Sequence, residues 1–201
     1  DTARYVSVFD ELPAAAQPAL LRALAGRGDV AARPVVAKAV ASEDAAVRIA
    51  ALSALAKLGT LEDAELLADA MDSAEPEAVE AARAALVALQ GDDVDATLVK
   101  LLATANPAEQ AGLLVVLTNR MAPQTLRMAV HCFEQGEGPA RIEALNVFTL
   151  MGGPDQIPLV LAAMKKADEA AAGERALLAM CERNGAAAMP PVSTAMRGAD
   201  A

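Results

Sequence analysis

Few residues of this chain could do chemistry, and those few are scattered. His131 is the one imidazole, and Cys132 and Cys181 are the two thiols, in 201 residues. One histidine and two distant cysteines cannot supply the three or four ligands of a zinc site. General-base work by His131 would need a positioned partner, and its chain neighbours are Val130 and Cys132. The cysteines stand outside any Cys-x-x-Cys and outside a basic setting. They read as free thiols that pack as small hydrophobes, with a disulfide as the alternative.

Carboxylates are plentiful, among them Glu43, Asp44, Glu62, Asp63, Glu75, Asp92, Asp93 and Asp95. Most fall where a helix would begin, so they read as caps and solvated faces. Asp92-Asp93-x-Asp95 lacks the glycine and distal glutamate of a calcium loop. Gly136, Gly138, Gly152 and Gly153 precede no Lys-Ser/Thr, so they read as turns rather than a phosphate cradle. No catalytic, cofactor-binding or metal-ligating residue is assigned, no cofactor is expected, and the segment is not expected to be an enzyme. Arg48, Gln110 and Arg141 remain, because they fall in one column at a step of 31 residues.

That step runs through the whole chain. Leu24, Leu55, Leu86, Leu117 and Phe148 form one column, and Val36, Leu67, Leu98, Ala129 and Val160 form another. Val40, Met71, Leu102, Phe133 and Met164 form a third. Within one period Val47, Ala50, Ala51, Ala54, Leu55 and Leu58 follow the spacing of a single helical face. Each period therefore holds two short helices that bury their apolar stripes only by stacking on their neighbours. The spacing predicts a lead-in at about 3–9 and 13–26. Pairs follow at about 30–41 with 45–58, 61–71 with 76–89, 93–104 with 107–120, 123–134 with 139–151, and 154–166 with 169–184. A last helix is expected at about 186–196.

The punctuation agrees with this map. Gly28, Gly59, Gly91, Gly152 and Gly185 stand where pairs end, as left-handed C-caps would. Met121 occupies the place of a further glycine. Pro76, Pro107 and Pro139 suit the first position of a helix, and Thr60 to Asp63 suits a capping box.

Composition removes several functions. Seventeen Lys and Arg against 27 Asp and Glu leave a net charge of −10, which opposes nucleic-acid binding. The 55% apolar content is mostly alanine interrupted by charges, with no run long enough to span a membrane. Aromatics are 2% of the chain, too few for the flat platforms that sugars usually need.

The segment Asp44-x-x-Val47-Arg48-x-Ala50-Ala51-Leu52, closing at Leu58-Gly59, resembles the short HEAT-like repeats also seen in phycobilisome lyases. The resemblance implies an all-α fold: an α-α superhelix, a right-handed solenoid of antiparallel helix pairs of HEAT/armadillo type. It implies one domain over 1–201, with a lead-in at 1–28, repeats at about 29–59, 60–91, 92–121, 122–152 and 153–185, and a partial unit at 186–201. Leu12-Pro13 through Gly28-Asp29, and Glu174-Arg175-Ala176-Leu177 through Cys181, are similar to the opening and closing of HEAT-repeat segments in large, often exported bacterial proteins. That likeness, with Asp1 in place of an initiator Met, implies the helical module of a longer protein.

The expected function is a non-catalytic scaffold or interaction module. The expected partner is another protein or a neighbouring domain of the same polypeptide, and the module itself is expected to be a monomer. The alternatives are an accessory domain of a carbohydrate-active protein and a tetrapyrrole-lyase-like protein. In HEAT-like stacks the second helices line the concave side. Arg48, Gln110 and Arg141 then either pair with an acid of the neighbouring turn or form an exposed row that meets an acidic or polar partner.

Overall fold

A computed structural model describes residues 2–199, and their side chains through Thr194. The described residues form helices and turns without a strand. Chain contacts divide the protein into two compact units, with the division between Thr104 and Ala105.

The first unit contains α1 (Thr2–Ser7), α2 (Gln17–Arg27), α3 (Arg33–Ala39), α4 (Ala45–Leu58), α5 (Ala64–Asp69), α6 (Pro76–Ala88) and α7 (Val94–Thr104). Helices α2, α4 and α6 lie side by side as one layer, and α3 and α5 pack against them as a second. The second unit contains α8 (Pro107–Asn119), α9 (Thr125–Gln135), α10 (Pro139–Met151), α11 (Ile157–Ala163), α12 (Ala170–Asn184) and α13 (Met189–Ala199). There α8, α10 and α12 form one layer, with α9 and α11 packed on it. This is an all-α, helical-repeat architecture.

The three apolar columns are the core. Leu24, Leu86, Leu117 and Phe148 are fully buried, as are Val36, Leu67, Leu98, Ala129 and Val160. Each such leucine-class side chain contributes about 1.5–3 kcal/mol through burial. Met164 departs from its column and is only half-buried. It is the atom neighbour that a Cβ at Gly173 would meet at 2.9 Å, so α12 approaches α11 by having no side chain there.

Helix starts follow local chemistry. Asp44 accepts from the N–H groups of Ala46 and Val47 to open α4. Asn106 accepts from Ala108 and Glu109, and Glu109 accepts from Asn106 in return, a complete capping box ahead of Pro107. The first helices α3, α5 and α11 open through 3-10 turns at Val30–Ala32, Leu61–Asp63 and Pro154–Gln156, so their α-helical portions are shorter than the periodicity predicts. Residues 13–16 are also turn rather than helix, and α2 begins at Gln17, whose side-chain amide donates to the Leu12 carbonyl at 3.1 Å.

The glycines divide into two kinds. Gly28, Gly91 and Gly185 have the positive φ expected of pair ends. Gly59 and Gly152 do not: their φ values are −66° and −63°. At those two positions glycine is required by close approach. A Cβ on Gly59 would lie 2.5 Å from the Leu55 carbonyl oxygen, and one on Gly152 would lie 2.7 Å from that of Phe148. Met121 takes the left-handed conformation at φ 55° with a full side chain.

Candidate functional site

Arg48 lies one turn into α4, above the corner where α3 gives way to α4. Its guanidinium donates to the carbonyls of Ser42 at 2.7 Å and Glu43 at 2.9 Å. Its other edge donates to the Glu75 carboxylate, immediately before Pro76 opens α6. One side chain thereby ties the corner of its own repeat to the start of the next second helix.

Arg141 repeats the arrangement in the second unit with better burial. It donates to both oxygens of Glu169, at 2.5 and 2.9 Å, and to the Phe133 carbonyl. Its guanidinium carbon stands 4.1 Å from the centroid of the Phe133 ring, a cation–π contact. The two side chains are 14% and 4% exposed. Glu169 stands just before α12, as Glu75 stands before α6. The Arg141 hydrogen bonds, aided by Lys166 at 3.2 Å, hold the Glu169 carboxyl below the usual carboxylate range. Arg141 is planar and bidentate here, which a lysine would not reproduce.

Gln110 occupies the same column in α8. Its Oε1 lies beside the open side of Gly136, 3.2 Å from where a Cβ would sit, on the loop that leads to α10. The structure thus brings Arg48, Gln110 and Arg141 to equivalent corners of the repeat and engages both arginines within the chain.

Two further arginines act similarly and left no periodic trace in the sequence. Arg33, at the start of α3, donates to both oxygens of the buried Asp63 at 2.7 and 3.0 Å, and to Glu62 at 2.6 Å. Asp63 also accepts the Thr60 N–H at 2.8 Å, so it closes the capping box of the 3-10 turn ahead of α5 and anchors the preceding repeat. Arg183, in the last turn of α12, donates to the carbonyls of Phe148, Thr149, Leu150 and Gly152. Those carbonyls cluster at the C-terminal end of α10, where the helix dipole and the last unpaired acceptors favour a cation.

His131 is exposed on α9. Cys132 is buried and Cys181 half-buried, and both are free thiols. Burial pushes the Cys132 thiol up to about 11. Among the described residues, no three His, Cys, Asp or Glu side chains converge as a metal-holding group. No described helix is long and apolar enough to cross a membrane.

Three surface clefts lie among the described residues of the first unit, without exhausting its surface. One, of about 260 Å³, is apolar and lies beside Arg48, lined also by Val40, Leu52, Leu66 and Ala78. A second, of about 330 Å³, lies between the lead-in and α3, near Phe9, Gln17 and Lys38. The third, of about 270 Å³, runs between α2 and α4 over Ala25, Gly26, Ala50 and Ala54, flanked by Arg22, Ser53 and Lys57.

Paired layers of short helices, joined corner to corner by arginines, are a repeat geometry, and the family comparison agrees. Residues 8–88 match the family model of HEAT repeats. The HEAT-repeat span contains α2 to α6, including the Arg48–Glu75 and Arg33–Asp63 bridges. A comparison with curated proteins finds no match. Among solved structures, an engineered protein from a structural genomics consortium is 18% identical with a TM-score of 0.46, covering 90% of this chain and 96% of that one. A designed armadillo repeat protein is 15% identical with a TM-score of 0.42, covering 88% and 98% respectively.

Proposed function

We propose that this chain is a non-catalytic interaction module: a helical-repeat scaffold within a larger protein that presents the faces of its second helices to a protein partner or a neighbouring domain. One observation carries the reading. Across α2, α4 and α6 the positions Arg22, Ser53 and Ala84 and the positions Gly26, Lys57 and Ala88 recur at the repeat step, and all but the half-buried Ala88 are exposed. Adjacent rigid helices thus turn outward a regular face of small residues flanked by Arg22 and Lys57, the kind of extended surface that repeat proteins use for binding. The potentially reactive side chains do other work, since Arg33, Arg48, Arg141 and Arg183 and their acceptors join helices to one another. Carbohydrate recognition finds little support: Phe9, Phe133 and Phe148 are buried, and Tyr5 is the one exposed aromatic ring.

Site-resolved photocrosslinking tests this reading. A photoreactive residue placed at Ser53, Ala84 or Asn146, on second helices, should give one discrete adduct in the native cell. The same residue at Glu65 or Arg127, on first helices, should give none. Adducts of equal yield from both sets of positions, or from neither, would overturn the proposal.

A further inference from the structure

We infer that the groove between α2 and α4 is a docking site for a short acidic peptide segment, with a partner carboxylate held between Arg22 and Lys57. The inference rests on the interaction-module reading and names the partner's chemistry.

Three observations carry it. First, Arg22 and Lys57 flank one cleft, and neither has an ion pair or hydrogen bond among the described residues. Together they place two unneutralised positive charges on one cleft, in a chain with 27 acidic side chains and 17 basic ones. Arg33, Lys38, Arg48 and Arg83, in the same unit, all reach carboxylates of the chain itself. The Arg22 guanidinium can receive a carboxylate with two parallel hydrogen bonds, and the Lys57 ammonium adds a point charge.

Second, the floor is made of Ala25, Gly26, Ala50 and Ala54, whose small side chains leave a shallow apolar surface for a slender ligand. A cleft of about 270 Å³ is small for an isolated small-molecule site, which usually needs about 300–1,000 Å³. It suits a carboxylate side chain with a small apolar neighbour resting on the alanines.

Third, Gly26 leaves space that the protein does not use. It sits within a helix, where glycine is less favourable than alanine by about 0.5–1 kcal/mol. A Cβ there would meet nothing within 4 Å. The space above Gly26 is therefore open to a small apolar group of a ligand lying along the groove. The net charge of −10 selects among anionic occupants. It opposes a phosphodiester chain, whose many charges extend well beyond the pair of cations. A peptide with one or two carboxylates and neutral flanks brings its charge only where the cations are.

The test uses the whole chain and a fluorescein-labelled alanine-based peptide with two glutamates at its centre, with the matched peptide carrying two glutamines as control. Anisotropy should show saturable, salt-sensitive binding of the glutamate peptide and at least about tenfold weaker binding of the glutamine peptide. Arg22→Glu with Lys57→Glu should weaken the glutamate peptide by a similar factor, while Arg127→Glu, an exposed cation on α9, should leave it unchanged. Gly26→Leu fills the groove while favouring the helix, so it should abolish binding in a protein that melts no lower than the parent. Equal binding of the two peptides, indifference to these groove variants, or a single-stranded oligonucleotide that competes at the same site would each overturn the inference. If photocrosslinks still form at Ala84 or Asn146 while the glutamate peptide fails to bind, the acidic partner is refuted and the interaction module stands.

Discussion

Removing Arg141 should destabilise the second unit more than removing any other surface-connected charge. Glu169 is 4% exposed and receives both of its strong hydrogen bonds from Arg141. Arg141→Ala would strand that carboxylate with Lys166, whose own side chain is 54% exposed. Breaking a buried ion pair on one side costs about 3–5 kcal/mol. The lost cation–π contact with Phe133 adds about 0.5–1 kcal/mol, and Lys166 offsets part of the total. The expected loss is therefore about 3–4 kcal/mol. Glu169→Gln should cost less, about 1–3 kcal/mol, because Arg141 keeps the Phe133 carbonyl and ring. Replacing both as Arg141→Met with Glu169→Leu removes the stranded charge and should recover most of the Arg141→Ala loss. The pair also sets a pH dependence. Because the Glu169 carboxyl is held below its ordinary value of 4.5, its contribution is complete above that value. It is lost as the pH falls through the lowered folded value. Thermal and urea melts at neutral and acidic pH measure this, with hydrogen exchange at α10 and the start of α12 locating the change. A loss below about 1 kcal/mol for Arg141→Ala, or stability equally pH-dependent in the double variant, would refute the clamp.

Other outcomes are expected from single positions. Leu55→Ala or Leu86→Ala, each at a fully packed layer, should cost about 2–5 kcal/mol in denaturant melts; a much smaller change would remove these residues from the core. Met121 is 85% exposed at φ 55°, so Met121→Gly relieves a left-handed strain of about 1–2 kcal/mol. It adds about 0.5–1 kcal/mol of chain entropy, for a net gain of up to about 1.5 kcal/mol, visible as a higher Tm. Disulfide-exchange titration at mildly alkaline pH should find Cys181 reactive in the native protein and Cys132 reactive only on unfolding, because burial pushes the Cys132 thiol up to about 11; rapid native reaction of both would contradict that.

The sequence revealed the fold because the repeat step acts on side chains that have one job. Leu24, Leu55 and Leu86 face the core in successive layers, so identity, spacing and burial coincide. Pro76, Pro107 and Pro139 mark helix starts through a missing N–H, which is also a purely local effect. The glycines were legible in position and only partly in conformation. Gly59 and Gly152 sit at pair ends as expected, yet the reason is a carbonyl oxygen in the way of a Cβ, a three-dimensional fact with no one-residue signature. The arginine column was visible as a column, but its engagement was not. Whether Arg48 meets Glu75 or a partner depends on the approach of the next helix start. Arg33 and Arg183 escaped notice because each occurs once, so periodicity could not raise it above the other charges. The α2–α4 groove has no sequence signature for a different reason: it depends on what Arg22 and Lys57 fail to touch.

The reach of the bridges has a kinetic consequence. Arg48 to Glu75, Arg141 to Glu169, Arg33 to Asp63 and Arg183 to Phe148 join residues 27, 28, 30 and 35 apart. Each closes a loop of about one repeat, and a loop twice as long would add only about 0.6 kcal/mol of closure entropy. Contacts of this span give a low contact order, and low contact order means rapid folding that can nucleate in any helix pair. On a ribosome, each pair could close its own latch soon after the next helix start emerges. The nascent chain would then expose one unpaired apolar face at a time rather than the whole alanine-rich interior.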